Sequence, residues 1–281
     1  MCALADEYRW YIGIPNEIRR FVPEILPDSN TSNIKMRYIR GNLLHDLFIS
    51  GVCGLDRWDE ILDKIHGFTD AMMEYGIEGD FGGSLDEMYY LKTAKRLEEL
   101  KNHPIIGRFF TENPIINGYE YPNIPTLLES IHKETAVLRN CSRFTIIHGD
   151  LHFGNLLLDD EDNIKAVDPR GRFGQYLLYG DSRYDLAKLY HSIEGGYDYI
   201  IEDMFYLDCE GNNINYSIEP SEYGFNLLDR VRGIFGIGDE KDIRLIESLL
   251  FLSMIPLHSE NIEHQTVMFA RGMELYRRAI A

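Results

Sequence analysis

A short β-rich segment between helical stretches is the feature that most restricts the fold of this chain. Residues 144–171 read FTIIHGDLHFGNLLLDDEDNIKAVDPRG. Three runs in it are rich in apolar and β-branched residues, as strands are: FTIIH, LLL and IKAV. The polar run between the last two, DDEDN, is typical of a turn. The segment therefore predicts a strand, a polar loop and then a hairpin.

The hairpin determines which polar residues are neighbours. If its turn centres near Glu161, residues whose numbers sum to about 322 face each other, so Asn155 lies opposite Val167 and beside Asp168. An amide oxygen next to a carboxylate is the kind of ligand pair that Mg²⁺ prefers when it also binds substrate phosphates. Asp150 lies in the preceding loop, where its carboxylate can accept a proton from a hydroxyl group. Phosphoryl transfer needs little more than this, because positioning and charge neutralisation supply most of its catalysis.

Helical spacing of apolar residues covers most of the remaining chain. It predicts a mostly helical body with these helical stretches: 4–12, 16–22, 42–51, 56–75, 85–100, 124–139, 182–193, 221–235, 242–257 and 264–280. Other patterns predict a strand over 35–41, a glycine-rich loop over 76–84 and a short hairpin around Gly211 and Asn212.

Two motifs of the β-rich segment carry a family resemblance. HGDLHFGN resembles the catalytic loop HGDxHxxN of the aminoglycoside phosphotransferase and choline kinase superfamily, and AVDPRG resembles its metal-binding segment. The resemblance covers about residues 4–281 and implies an α+β, protein-kinase-like fold with a mostly helical C-terminal lobe. DPRG and the C-terminal region look more like the phosphotransferases of bacterial capsule or cell-surface polysaccharide synthesis than like resistance enzymes.

The resemblance implies roles in or around catalysis for four residues of this segment and of the helix after it. By it, Asp150 is the catalytic base, His148 orients the loop, and His152 either takes part in catalysis or only supports the loop. Asp185 in SRYDLAKL matches an aspartate that braces this loop, although it also fits a first-turn carboxylate of its helix. Independently of the resemblance, Arg170 is assigned a supporting role, either as a ligand of phosphate or substrate or as a structural ion pair with one of the many nearby carboxylates, and the ion pair is preferred.

The same resemblance implies the cofactors ATP and Mg²⁺. Asn155 and Asp168 match the Mg²⁺ ligands, and through the metal they contribute to nucleotide binding. The stretch KMRYIRGNLLHDLF resembles the hinge of the superfamily, in which the backbone at Tyr38 and Ile39 would meet adenine. The expected acceptor is a hydroxyl group of a small molecule: a sugar, an amino sugar, a choline-like alcohol or an aminoglycoside.

The N-terminal residues match only part of the lobe that begins such kinases. Residues 1–41 are expected to be a remnant of the N-terminal kinase lobe with the hinge, and residues 42–281 the helical C-terminal catalytic lobe. No phosphate-covering loop or nucleotide-binding lysine is recognised before Lys35, so the start of the lobe is expected to be missing. Glu7 is the expected partner of that lysine.

These features leave two other functions open. A catalytically impaired pseudokinase, or a module that binds a ligand or protein, is compatible with the unmatched lysine. The retained base and pair of metal ligands argue against it. A metal-dependent hydrolase is less favoured, because no histidine-rich or paired-metal spacing accompanies the carboxylates.

Charge and composition exclude several classes of partner. The chain has 28 Lys and Arg against 46 Asp and Glu, and a formal net charge of −18, which disfavours nucleic acids and acidic membrane surfaces. The same charge favours a cationic substrate or serves solubility alone. Four scattered cysteines without a CxxC pair predict neither a zinc site nor a disulfide framework. Without a recognisable signal peptide or an apolar run of about 20 residues, a cytoplasmic protein is expected.

Overall fold

The structure, a computed structural model, describes residues 3–218 and 224–281 as a mixture of helices and sheets. The α-helices, α1 to α12, are Ala3–Gly13, Asn16–Arg19, Leu44–Ser50, Leu55–Met73, Gly82–Asp86, Lys92–Glu98, Ile124–Glu134, Ser182–Ile193, Tyr197–Ile201, Gly224–Ile234, Lys241–Met254 and Ile262–Ile280. The strands, β1 to β12, are Gly41–Leu43, Gly76–Glu78, Ile115–Ile116, Tyr119–Glu120, Arg143–Ile146, Leu156–Asp159, Ile164–Ala166, Arg172–Phe173, Tyr176–Leu177, Tyr179–Gly180, Phe205–Glu210 and Asn213–Ile218. The mixed content agrees with the predicted α+β class.

One compact unit comprises, among the described residues, 3–84, 141–194 and 224–238. It contains two three-stranded sheets, ordered β1-β6-β7 and β10-β5-β2, and the β8-β9 ribbon. All of the predicted site residues belong to this unit. This unit includes residues on both sides of the predicted boundary at residue 41. That boundary separates the two lobes expected of a kinase, and it stays a prediction.

The long helix α4 supplies much of the core of this unit. Its apolar residues recur at helical intervals, so one face is buried while the other carries charges. Trp58 on that face stacks on Phe153 with ring centroids 5.2 Å apart, and Phe48 of α3 meets the edge of Phe153 at the same distance. Because Phe153 belongs to the segment HGDLHFGN, this aromatic cluster holds the loop against two helices.

The β6-β7 hairpin has the predicted register. Leu156 pairs with Ala166 and Leu158 with Ile164, so the paired residue numbers sum to 322, as predicted. The main-chain N–H of Val167 donates to the carbonyl of Asn155 over 3.0 Å, which continues the ladder by one step. The prediction that Asn155 faces Val167 is therefore confirmed.

The tip of this hairpin is fixed to α4. Asp162 has a left-handed backbone with φ of 66°. Its carboxylate accepts from Arg57 and, over 2.6 Å, from Lys64. These two cations lower the pKa of Asp162 to about 2. The hairpin is consequently held at its turn as well as at its base.

The predicted strand over 35–41 is wrong. Met36 forms only an isolated bridge with Ile25, and the strand β1 begins at Gly41, where it pairs with β6. A Cβ atom at position 41 would overlap the carbonyl oxygen of Leu158. Glycine therefore permits the close approach of the two strands, instead of making a turn after one strand.

The predicted glycine-rich loop over 76–84 is also wrong in part. Its first residues form β2, which pairs with β5, and Gly82 begins α5. Between them, Phe81 stacks on Phe144 of β5 with ring centroids 3.8 Å apart. This buried aromatic pair overrides the local tendency of the glycines to form a loop.

The second unit comprises the described residues 85–140, 195–218 and 239–281. Its helices α11 and α12 pack against each other, and its sheet has the order β11-β12-β3-β4. The predicted hairpin is confirmed as β11-β12, with Gly211 and Asn212 between the strands.

The predicted helices are largely confirmed, with two qualifications. The stretch 85–100 contains a π-helical turn, Glu87–Leu91, between α5 and α6. The first three residues of the predicted helix over 221–235 lie outside the described residues.

Cys2 also lies outside the described residues. The other cysteines, Cys53, Cys141 and Cys209, are free thiols. None of the described helices is both long enough and apolar enough to cross a bilayer.

Replacement of Gly41 by alanine tests the contact between β1 and β6. We expect Gly41→Ala to lower the free energy of unfolding by about 2 kcal/mol, because the added methyl group must displace backbone atoms. Gly67→Ala is the matched control: nothing lies within 4 Å of its added Cβ, and α4 should gain helix propensity. Denaturant unfolding of both variants measures the difference. Equal stability of the two variants would contradict the close approach.

Candidate active site

The carboxylate of Asp185 fixes the start of the catalytic loop. Its two oxygens accept hydrogen bonds from the main-chain N–H groups of His148 and Gly149, each over 2.7 Å. Asp185 lies in the first turn of α8, whose N-terminal cap is the side chain of Asp181. Burial raises the pKa of Asp185 to about 7, although the two N–H donors act in the opposite direction. The carboxylate of Asp185 therefore attaches the start of the loop to α8.

The imidazole of His148 connects the two motifs. Its Nδ1 accepts from the N–H of Asp150 over 3.3 Å, so the proton is on Nε2, which donates to the carbonyl of Val167 over 2.9 Å. The side chain is fully buried, and burial lowers the pKa of His148 to about 4. We assign the tautomer from these two partners. His148 thus connects the loop to the second motif from a buried position, and its role in orienting the loop stays a prediction.

The buried His148 makes stability sensitive to acid. Its pKa is about 4 in the folded protein against an ordinary value of 6.5, so the unfolded state binds more protons between these values. Its contribution is complete above pH 6.5 and is lost as the pH falls toward 4. At pH 5 the loss is about 2 kcal/mol relative to pH 7.5.

This prediction is checked by denaturant unfolding at pH 7.5 and pH 5. The loss of stability should be about 2 kcal/mol smaller in His148→Gln than in the wild-type protein. His132→Gln, which removes an exposed imidazole, should behave like the wild type. An unchanged pH dependence in His148→Gln would contradict burial of the neutral imidazole.

Asp150 is the accessible carboxylate of the loop. Its side chain is 38% exposed, and its Oδ1 lies 2.7 Å from the ammonium group of Lys188. Nε2 of His152 lies 3.9 Å from its Oδ2. Burial acts to raise the pKa of Asp150, but the charge of Lys188, followed by that of His152, outweighs it and brings the pKa well below its usual range. The carboxylate is therefore ionised and partly open to solvent, as a proton acceptor must be.

Asn155 and Asp168 lie side by side at the base of the hairpin. Asn155 is buried, and its Nδ2 donates to the carbonyl of Asp150 over 2.9 Å, which leaves its Oδ1 as the atom available to a cation. Asp168 is exposed and directly follows Val167, the main-chain partner of Asn155. Both available donors are hard oxygens, a set that fits Mg²⁺. Among the described residues, no group of three or more His, Cys, Asp or Glu side chains is arranged to hold a metal.

The helix α1 holds Asp168 in an uncommon conformation. The backbone of Asp168 is left-handed, with φ of 55°, and its N–H donates to the hydroxyl of Tyr11 over 3.2 Å. Asp6 of the same helix pairs with Arg172 over 2.8 Å, just beyond this segment. Burial, and then the charge of Asp168, raise the pKa of Glu7 to about 7. Glu7, which the sequence predicts to pair with a lysine, is therefore close enough to Asp168 to feel the negative charge of its carboxylate.

The two remaining predicted residues, Arg170 and His152, form hydrogen bonds in and around the loop. The main-chain N–H of Arg170 donates to the carbonyl of His148 over 2.9 Å, and its guanidinium donates to the hydroxyl of Tyr184 over 3.0 Å. The preferred structural ion pair is wrong, since no carboxylate among the described residues pairs with Arg170. His152 accepts from the N–H of Gly154 through Nδ1, which favours the supporting role for this side chain.

A cavity of about 730 Å³ lies beside the predicted hinge. The residues around it come from α1, the end of α2, the segment 22–27, the hinge and the β6-β7 hairpin, and they include Tyr38 and Ile39. The side chain of Tyr38 is almost fully exposed. Asn155 and Asp168 do not line this cavity, but Tyr11 both lines it and contacts Asp168. The structure therefore gathers the predicted nucleotide residues into two adjacent groups joined by Tyr11.

Sequence reasoning missed Lys188 and Tyr11. Lys188 follows Asp185 by three residues in α8, so the helical period places both on the same face. Tyr11 has a weaker signal, because its partner Asp168 is 157 residues away in the chain. Only tertiary structure identifies that contact.

Three solved structures share the fold of this chain. A glucosamine kinase matches with a TM-score of 0.56 and 12% identity, covering 98% of this chain and 70% of its own. The GDP and kanamycin complex of APH(2")-IIia matches with a TM-score of 0.51 and 14% identity, covering 98% of this chain and 82% of its own. An ethanolamine kinase of Plasmodium vivax matches with a TM-score of 0.52 and 11% identity, covering 99% of this chain and 72% of its own. No family model matches the sequence, and no curated protein does.

The protein has a kinase-like fold. This confirms the predicted protein-kinase-like fold. At 11–14% identity the likeness concerns the fold alone. The assignment of function therefore depends on the geometry of the site.

Proposed function

We propose that this protein is a phosphotransferase that uses ATP and Mg²⁺ to phosphorylate a hydroxyl group of a small molecule. One observation carries the proposal. The support is the set of hydrogen bonds around Asp150, an accessible, ionised carboxylate: Asn155 donates to the main-chain carbonyl of Asp150 and pairs through its own carbonyl with Val167, the residue before Asp168. A scaffold without catalytic activity has no physical need to keep a base and two metal ligands together.

The proposed reaction uses Asp150 as the proton acceptor. The acceptor hydroxyl would donate its proton to this carboxylate while its oxygen forms a bond to the γ-phosphorus of ATP. The bond from that phosphorus to the bridging oxygen breaks, and its electron pair leaves with ADP. Asn155 and Asp168 would hold Mg²⁺, which neutralises phosphate charge when bound.

The cavity beside the hinge is the proposed site of the nucleotide base. Its volume of about 730 Å³ is within the usual range for cofactor sites. Backbone groups at Tyr38 and Ile39 would contact adenine there. Tyr11 would then lie between the base and the phosphates, since it lines the cavity and contacts Asp168.

The acceptor is proposed from chemistry and likeness. The similar structures include a glucosamine kinase, an ethanolamine kinase and a complex with kanamycin, all names that imply amines. A net charge of −18 favours such cationic acceptors. The DPRG segment supports a role in capsule or cell-surface polysaccharide synthesis, for which an amino sugar is a suitable acceptor. Glucosamine, ethanolamine and kanamycin are therefore the first acceptors to assay.

Thermal unfolding with and without Mg²⁺-ATP tests the nucleotide site. A ligand at 100 times its dissociation constant stabilises the folded protein by about 2.7 kcal/mol, so we expect a clear rise in Tm. Asp168→Ala should abolish the part of this rise that depends on Mg²⁺. Asp63→Ala removes an exposed carboxylate of α4 and should leave it intact. No rise at millimolar Mg²⁺-ATP would favour the alternative, a catalytically impaired kinase fold or binding module.

Asp150→Asn tests the proposed base. Loss of the proton acceptor should lower the rate of transfer by about 10² to 10⁴, whereas Mg²⁺-ATP should still raise the Tm. Transfer is measured as ADP production with each of the three amines. Asp63→Asn is the matched control and should keep wild-type activity. Retained turnover in Asp150→Asn would exclude Asp150 as the base.

A further inference from the structure

Lys188 and Asp185 on one face of α8 contact successive parts of the catalytic loop. Asp185 binds the N–H groups of His148 and Gly149, and three residues later Lys188 pairs with Asp150 over 2.7 Å. Residues three apart are neighbours on a helix surface. The same turn of α8 therefore fixes the backbone of the loop and the side chain that follows it.

We infer that Lys188 is a positioning residue for Asp150, an inference that rests on the proposed function. Lys188 is 9% exposed, so its stem is covered by protein. A buried ammonium group is costly unless it is paired. Within the part of the chain that the structure describes, Asp150 is its only ion-pair partner. The pair is thus required by burial of the lysine, unlike an exposed ion pair that forms and breaks in water.

The contact selects one oxygen of Asp150 for chemistry. Lys188 binds Oδ1, and His152 lies 3.9 Å from Oδ2, beyond hydrogen-bond distance. Oδ2 is therefore the oxygen left to accept the proton of an incoming hydroxyl. By holding Oδ1, Lys188 restricts rotation of the carboxylate. It acts on the reaction through Asp150 and not through direct contact with the acceptor.

A purely structural lysine would behave differently. Its loss would lower stability and leave the turnover of the folded protein unchanged. A positioning lysine instead affects kcat with little effect on the KM for ATP, because the nucleotide contacts lie elsewhere. Misplacement of a catalytic group by about 1 Å can cost about 10² in rate.

The test compares Lys188→Met, which keeps the stem but removes the charge, with Lys188→Arg, which keeps a cation. The activity measured is hydrolysis of Mg²⁺-ATP with water as the acceptor. We expect Lys188→Met to lower kcat about 10- to 100-fold while the KM for ATP changes less than about twofold. Lys188→Arg should recover a large part of the loss. If Lys188→Met does not fold, Lys188→Gln replaces it as a neutral side chain of similar length.

A double variant shows whether Lys188 acts through Asp150. In an Asp150→Asn background, Lys188→Met should cause little further loss of kcat, because there is no carboxylate left to hold. Full multiplication of the two single losses would overturn the inference. So would an unchanged kcat in Lys188→Met, or equal activity of Lys188→Met and Lys188→Arg.

The Tm values of the same variants separate this inference from the proposed function. If the wild-type protein neither hydrolyses Mg²⁺-ATP nor transfers phosphate, the proposed function fails, and with it the role of Lys188 in turnover. Non-additive Tm shifts in the double variant would still establish the Lys188–Asp150 contact. Additive Tm shifts would overturn the contact itself, whatever the activity.

Discussion

The candidate site depends on two hydrogen bonds that the buried carboxylate of Asp185 accepts from main-chain N–H groups. A buried donor without a partner costs about 1–3 kcal/mol, so the loop at His148 and Gly149 is stable in this conformation only while the carboxylate is present. The contacts of His148 with the second motif are made from that conformation. The φ of 79° at Gly149 directs the chain from the strand toward Asp150.

From this loop, a short series of hydrogen bonds leads to the metal-binding segment. His148 contacts the carbonyl of Val167 through its side chain and the N–H of Arg170 through its carbonyl. Asn155 contacts Val167 from the other side. The two motifs are thus attached to each other at three points, so a displacement of either one moves both. The β6-β7 hairpin joins the two motifs in the sequence. The register across its four-residue turn determines which residues of the two strands are paired.

The sequence predicted these parts because they are local. A hairpin with two apolar runs and one polar turn has few possible registers, and the correct one places Asn155 beside Asp168. The segment 35–41 has the composition of a strand, but its first residues pair with residues 24–26 and its last with the β6-β7 turn, so no single ladder runs along it, and pairing is a tertiary property. Lys188 and Tyr11 could not be assigned for a related reason. A lysine in an amphipathic helix and a tyrosine near the N-terminus have many ordinary roles, and their partners are known only from the folded chain.

The attachment of the hairpin at its tip has a consequence for motion in the site. In a hairpin that is held only at its base, the turn at the free end undergoes the largest displacements. Here Arg57 and Lys64 hold Asp162 at the tip, while hydrogen bonds hold the base. The ribbon of residues 24–37 is restrained mainly by contacts within itself: two isolated bridges, a few turns, and the exposed ion pairs of Arg37 with Glu24 and of Lys35 with Asp28. Thermal motion should therefore change the width of the cavity far more than the spacing of the two oxygen donors, so a nucleotide would meet an adaptable wall on one side and a rigid one on the other.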